Sequence, residues 1–319
     1  CVAGKVRIRL RERAGTVICM EHSEVKGVDG SFLKNIQTPF RDQQDIYVCA
    51  GKIGEVYEPM FTYHGFRYVK ISGITREINL QDYQAVVVGS RLEDGGFFRC
   101  SDGRMNQLQE NIRRSQLSNM ISIPTDCPQR EKAGWTGDVQ IYAATACYNQ
   151  NMKEFFRRWL SDVRYEQTEK GQIPIIVPFV EGHKRQFPQA VTSAGWGDVI
   201  TVLPWVLYQY YGDKAVLEEN YEAMERWLAY VRNTAKTENP SELHGVTGAR
   251  KEHLEYIWNT NFHFGDWLTP SVSINMESGM MDMLQSALQT KEIVPTFFYA
   301  YSCSILSKVS KILGKDDKR

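Results

Sequence analysis

The chain has 319 residues and a mass of 36.7 kDa, beyond the usual length of one domain, and its 42% hydrophobic and 24% charged residues exclude disorder as the main state. Lys plus Arg and Asp plus Glu each number 38, so the net charge is zero and no basic footprint for nucleic acid or an anionic membrane exists. The longest apolar runs, 173–180 and 199–211, fall short of the roughly 20 residues that cross a bilayer, so no membrane partner is expected.

From residue 5 to about 98 the pattern is a series of short alternating runs, KVRIRLRE, TVICMEH, DIYVCAG, FRYVKISG and YQAVVVGS, separated by Gly, Asp and Asn clusters. Val6, Ile8 and Leu10 share one strand face, as do most of Phe66, Tyr68, Val69 and Ile71, which predicts an antiparallel β-sandwich over 1–100. After Cys100 the period changes to about 3.6. Stripes run through Val139 to Cys147, Phe155 to Val163, Val202 to Tyr210, Val216 to Val231 and Ile305 to Leu313. Helices joined by loops, with no strand between them and no short sequence repeat, predict an all-α array over 101–319. Trp159, Trp205 and Trp227 fall on those stripes and are assigned to the core.

The aromatic share of 12%, with 7 Trp and 16 Tyr, favours a carbohydrate partner, because flat amphipathic rings stack on sugar faces. Seven scattered cysteines form no CxxC and no ligand spacing with the six histidines, so free thiols and no metal site are expected. His64 and His263 sit among aromatics and read as packed or pocket-lining residues; Cys127 has no base near it in sequence and reads as structural. Phosphate loops, a GxSxG elbow, HExxH and EF-hand loops are absent, so no cofactor is expected.

The densest stretch is Ile123 to Asp138, IPTDCPQREKAGWTGD, with three carboxylates, an arginine and a tryptophan between prolines and glycines. Pro124 and Pro128 exclude regular helix there, and Asp138 is placed to cap a helix opening at Val139. By itself the stretch reads equally as a structural network of ion pairs and caps. Two further clusters, Ser193 to Asp198 (SAGWGD) and Phe262 to Trp267 (FHFGDW), again set Asp beside Gly and Trp, and three such clusters fit a sugar site in which rings stack and carboxylates take hydroxyls.

With GFRYVKI and GFFRCSD upstream and AGWGD, YGD and FGDWL downstream, DCPQREKAGWTGD resembles the bacterial α-L-rhamnosidases of glycoside hydrolase family 78 over nearly the whole chain. The resemblance implies a β-sandwich followed by part of an (α/α)6 barrel of helical hairpins, releasing terminal α-linked L-rhamnose from glycosides or polysaccharides with inversion and without a cofactor. It makes Glu131 the general acid. Asp126, Arg130 and Asp138 would hold rhamnose hydroxyls, Trp135 would line the pocket, and Trp196 with Asp198 and Asp266 with Trp267 match later pocket segments. Lys132-Ala133 departs from the family's Arg-Leu at positions without chemistry. Like charges on Asp126 and Asp138, burial against Trp135 and the opposing pull of Arg130 would together set the proton on the acid. A non-catalytic carbohydrate-binding homologue and another (α/α)6 sugar hydrolase are the alternatives.

An inverting enzyme also needs a base, about 6.5 to 9.5 Å from the acid, which the resemblance places in a later barrel segment. Twelve helices at roughly 30 residues each need about 360 residues. The expectation is therefore that the base and closing helices lie beyond Arg319, that residues precede Cys1, and that the chain alone is poorly soluble, self-associating or partly molten and lacks inverting activity; Glu181 and Glu277, read as loop residues, are the internal substitutes. Compartment, whether bacterial cytoplasm or periplasm, and homo-oligomerisation are left open.

Overall fold

Strand β1, Val2–Leu10, alternates as the sequence predicts: Val6, Ile8 and Leu10 are buried while Arg7 and Arg9 are exposed. It pairs antiparallel with β7 (Tyr83–Val87) and also with the short strands β4 (Glu55–Tyr57) and β5 (His64–Phe66). A second antiparallel sheet sets β2 (Val17–Ser23) between β3 (Gln44–Val48) and β6 (Tyr68–Ser72). Val6, Ile8 and Leu10 of the first sheet pack with Ile18 and Met20 of the second, closed by Cys49 and Phe66, and this is the expected sandwich. The strands missed in the sequence, β4 and β5, have three residues each, too few for an alternation to register.

The computed structural model describes residues 1–34, 43–186, 191–238, 253, 256–260, 262–267, 287–290 and 293–315. They fall into two compact units, Cys1–Glu93 with Phe97–Ala133 and Asp94–Gly96 with Gly134–Arg319. The first unit therefore holds helix α1 (Gly103–Asn119) as well as the sandwich; Asp102 caps it by accepting from the Arg104 N–H at 2.9 Å. Only Gln116 of α1 is buried, so no apolar stripe announced it. Contrary to the strand-free reading after Cys100, a hairpin of two-residue strands, β8 (Met120–Ile121) and β9 (Ile123–Pro124), follows it. Strands so short have no period to detect.

The second unit is helical: α2 (Thr136–Asn149), α3 (Lys153–Glu166), α4 (Glu181–Gln186), α5 (Val199–Tyr211), α6 (Ala215–Thr237) and α7 (Ile293–Leu313). Helix α5 packs against α2, α3, α6 and α7, and every residue from Val199 to Pro204 is buried, the signature of a helix surrounded by others. It stops at Gly212, whose φ of 65° is the left-handed cap glycine takes readily. Trp159 and Trp227 are fully buried as assigned. Trp205 is not: it is half-buried, with the Lys308 ammonium 5.7 Å from its ring centre, because α5 leaves one side open in its second half. Glu181 is also corrected, since it opens α4 instead of lying in a loop, and its exposed carboxylate pairs with Lys184 at 2.9 Å. Glu277 lies outside the described residues.

Between β2, β3 and β5 the sandwich core turns polar, with His22, Asp45 and His64 all buried. Burial, reinforced by His64, pushes the pKa of His22 down to about 4. The folded chain therefore leaves His22 neutral where an unfolded chain, with a reference value of about 6.5, takes a proton. Its contribution to stability is complete above about pH 6.5 and is lost as pH falls toward 4, by up to about 1.4 kcal/mol per pH unit. Denaturant unfolding from pH 7 to 4 should show this slope, and His22→Gln should be flatter over the same window.

Candidate functional site

After β9 the chain makes an eight-residue loop, Asp126 to Ala133, that closes on itself. The Asp126 N–H donates to the Ala133 carbonyl at 3.0 Å, and the Ala133 N–H returns to Asp126 Oδ1 at 3.1 Å. Inside the loop Cys127 Sγ accepts the Glu131 N–H at 3.2 Å, and Lys132 takes a left-handed φ of 51° to complete the turn. Cys127 is thus structural, as expected, and burial with Asp126 beside it pushes its thiol pKa up. Arg130 Nη2 lies 3.1 Å from Glu131 Oε1, with the arginine side chain 58% exposed and the glutamate 28%. Glu131 thus pairs with an arginine in this geometry, while Asp126 commits one oxygen to the loop's own backbone.

The loop is seated on the sandwich at three points. Gln129 Nε2 donates to Glu24 Oε2, Lys132 Nζ donates to the Tyr63 carbonyl while lying 4.9 Å from the Tyr63 ring centre, and Pro128 and Gln129 press on Gly65. A Cβ at Gly65 would stand 3.0 Å from side-chain atoms of both, so a larger residue there would push the loop back by a few tenths of an ångström.

The remaining candidates belong to the second unit. Trp135 is the N-cap residue of α2, whose first residue, Thr136, gives its N–H to the Ile175 carbonyl at 2.9 Å. The helix thus opens three residues before the expected Val139, and Asp138 is no cap: it is an exposed acid in the first turn, favourable there toward the helix dipole. The three tryptophans come together on one residue that sequence reasoning passed over, Phe264. Ring centres of Trp196, Trp135 and Trp267 lie 4.5, 6.1 and 6.2 Å from that of Phe264, and Phe262 lies at 5.2 Å. Trp135, Trp196, Phe264 and Trp267 are each partly exposed, which is what a stacking face requires. Phe264 stood inside a quoted motif, but nothing in the sequence separated it from its neighbours.

Two hydrogen bonds join the Ser193 to Asp198 turn to the Phe262 to Trp267 segment: Phe264 N–H to Ser193 Oγ, and Ala194 N–H to His263 Nδ1, both at 3.1 Å. His263 is buried against Trp258, a packed residue as expected, and its Nδ1 is an acceptor, which places the proton on Nε2. Asp198 has no exposed surface. Its oxygens accept from Ser302 Oγ at 2.7 Å, Gly195 N–H at 2.8 Å and Trp227 Nε1 at 3.1 Å, while burial, partly offset by these donors, pushes its pKa up. The structure thus places Asp198 behind the aromatic face with its contacts on protein, whereas Asp266 is exposed and fixed through its N–H to Thr290 Oγ1 at 2.8 Å.

Among the described residues, His22, Asp45 and His64 form a group of three ion-ligand side chains within mutual reach. The expectation that His64 has no such neighbours fails, because the fold unites residues that are distant in sequence. The two imidazoles stack with centres 4.1 Å apart and planes at 20°, and His64 Nε2 is bonded to the Asp45 carboxylate at 3.1 Å.

An antiparallel sandwich followed by helical hairpins is the layout of the six-hairpin glycosidases, and the chain follows it in two parts. Residues 1–89 match the bacterial alpha-L-rhamnosidase concanavalin-like domain and residues 93–319 the bacterial alpha-L-rhamnosidase 6 hairpin glycosidase domain. The chain belongs to the bacterial α-L-rhamnosidase family. An alpha-L-rhamnosidase of Formosa agariphila is 32% identical over all of this chain and 31% of its own length, and one of Streptomyces avermitilis is 30% identical over 99% of this chain and 27% of its own. The solved alpha-L-rhamnosidase of Dictyoglumus thermophilum superposes with a TM-score of 0.78 at 33% identity, covering 99% of this chain and 32% of that one. The Streptomyces avermitilis enzyme complexed with L-rhamnose gives 0.78 at 29% identity, covering 98% and 26%. The chain spans about a third or less of the length of these relatives.

Gly137 tests the aromatic face. A Cβ there would stand 2.7 Å from the Trp196 indole, a rigid ring. The helix-propensity gain of Gly→Ala is about 1 kcal/mol and overpacking costs about 1 to 3, so Gly137→Ala should be net destabilising. Equilibrium unfolding should show the loss, and near-ultraviolet circular dichroism should report a displaced Trp196.

Proposed function

We propose that the chain carries the acid and part of the sugar face of an inverting α-L-rhamnosidase. The observation that carries this reading is the self-closed loop, tied through Asp126 and Cys127, that presents Arg130 and Glu131 at its turn. A glycosidic oxygen leaves only when protonated, so the acid must hold a proton at the moment of cleavage. Arg130 is paired with Glu131 at 3.1 Å, so the mechanism needs the guanidinium drawn off Glu131 to free the carboxyl for the glycosidic oxygen. Rhamnose hydroxyls accepting from Arg130 would do this as the sugar binds, linking occupancy to the release of the acid. In the second unit the Trp135, Trp196, Phe264 and Trp267 face would stack against the apolar side of the 6-deoxy sugar. Asp198 acts there as the support of the Ser193 to Asp198 turn, and Asp126 serves the loop first and a hydroxyl with its remaining oxygen. Asp138 and Asp266, both exposed, are assigned to hydroxyls as well. The substrate is accordingly a rhamnose-capped glycoside or oligosaccharide.

Glu131→Gln should lower turnover of unactivated rhamnosides by about 10²- to 10⁴-fold, and 4-nitrophenyl rhamnoside, whose leaving group needs less help, by less. Rhamnose binding by calorimetry should persist. Equal rates for mutant and wild type on the unactivated substrate exclude Glu131 as the acid, and proton NMR of the first-released anomer decides inversion. Rhamnose binding without hydrolysis by an unmutated protein that includes the later barrel segment selects the non-catalytic reading.

A further inference from the structure

The strands that seat the Asp126 to Ala133 loop are tied to one another by the buried triad of His22 on β2, Asp45 on β3 and His64 on β5, which joins the second sheet to the first. The Gln43 carbonyl accepts from both the His22 backbone N–H, at 2.9 Å, and its Nδ1, at 3.1 Å. A carbonyl only accepts, so the ring proton sits on Nδ1 and Nε2 keeps a lone pair. Among the described residues that lone pair has no partner and lies 4.0 Å from Asp45 Oδ2. His64 Nε2, 3.1 Å from both Asp45 oxygens, donates to the carboxylate. Gln43 continues the net, its side-chain oxygen accepting the Gly65 N–H at 3.0 Å.

Three large apolar side chains would fill this volume without burying polar groups, and polar groups left unsatisfied in a core are unfavourable. Hydrogen bonds differ from apolar contact in having direction. The direction falls on the loop, because each anchor stands beside a triad member in the chain: Glu24 follows His22 by two residues, and Tyr63 and Gly65 flank His64. Lys132 of the loop also acts on the triad: beyond burial, which pushes the His22 pKa down most, its charge opposes protonation of His22, while Asp45 favours it.

We propose that His22, Asp45 and His64 are positioning residues for Glu131: through Glu24, Tyr63 and Gly65 they fix how the Asp126 to Ala133 loop lies on the sandwich, and so where the acid points. The triad touches no substrate. The role of Glu131 as acid is the reading given above, on which this inference rests.

The test is hydrogen exchange of the Asp126, Glu131 and Ala133 amides in the full chain, with the β1–β7 ladder between Lys5 and Val86 as internal control, together with kcat and KM for an unactivated rhamnoside. His64→Leu, which fills the volume but cannot donate, should speed exchange of the loop amides at least tenfold with the ladder unchanged, and lower kcat about tenfold while KM moves less than threefold. His64→Gln, which keeps a donor where Nε2 stood, should restore most of both. Asp45→Asn, which keeps the shape, should resemble His64→Leu and covers the case in which the leucine variant fails to fold. A packing role alone would make leucine at least as good as glutamine, and that order overturns the proposal. Loosening of ladder and loop by the same factor overturns it too, as does stoichiometric zinc in untagged protein whose removal alone loosens the loop. If Glu131→Gln retains full activity, the acid reading falls by itself, and the exchange data still decide whether the triad holds the loop.

Discussion

An irregular loop must satisfy its backbone polar groups without a helix or sheet, and everything proposed for Glu131 depends on how the loop from Asp126 to Ala133 does so. It spends a carboxylate. Asp126 Oδ1 takes the Ala133 N–H and Cys127 Sγ takes the Glu131 N–H, so the motif's own side chains close the turn. Charged residues that look like sugar ligands in the sequence are then divided between two tasks: Asp126 and Cys127 hold the loop, and Arg130 and Glu131 remain at its exposed turn. The left-handed Lys132 is the conformational demand of so short a closure, and its ammonium, anchored on the Tyr63 carbonyl, offsets that demand.

The helical unit solves a related problem with a buried charge. Asp198 lies at the start of α5 with three donors around it, from the turn before it, from α6 through Trp227 and from α7 through Ser302. A buried carboxylate so satisfied ties segments that are remote in sequence, and the loss of any donor would leave it uncompensated. Thr201 Oγ1, 2.8 Å from Ser302 Oγ, extends the same net along α5. The aromatic face rests on this support, because the Ser193 to Asp198 turn that presents Trp196 is also the one bonded to His263 and Phe264. Rings alone associate without direction; the hydrogen bonds behind them give the face its shape.

The long strands, and the long helices other than α1, which buries only Gln116, were legible in the sequence because period is a local property. Val6, Ile8 and Leu10, or Trp159, Leu160 and Val163, announce their buried faces within a few residues of one another. The short elements, β4, β5, β8, β9 and α4, were not legible, since two to six residues carry no period, and α2 opened early because its first N–H found a carbonyl 39 residues on, at Ile175. Trp205 shows the limit of a stripe: membership of an apolar face says nothing about whether a neighbour covers that turn.

For the site the division is sharper. The sequence alone determined the family, through a long motif in which residue types and spacing are fixed together, and with it the general layout of sandwich and hairpins. It named Trp135, Trp196 and Trp267, since their glycine and aspartate neighbours mark them. Only the tertiary structure decided that Phe264 is where they meet, that Asp198 faces inward, that Asp138 is a first-turn acid and that His22, Asp45 and His64 form one buried group. The reason is physical: a residue's type states what it can donate, accept or bury, whereas its role depends on which distant groups the fold places within about 3 Å of it, and that information is spread over the whole chain.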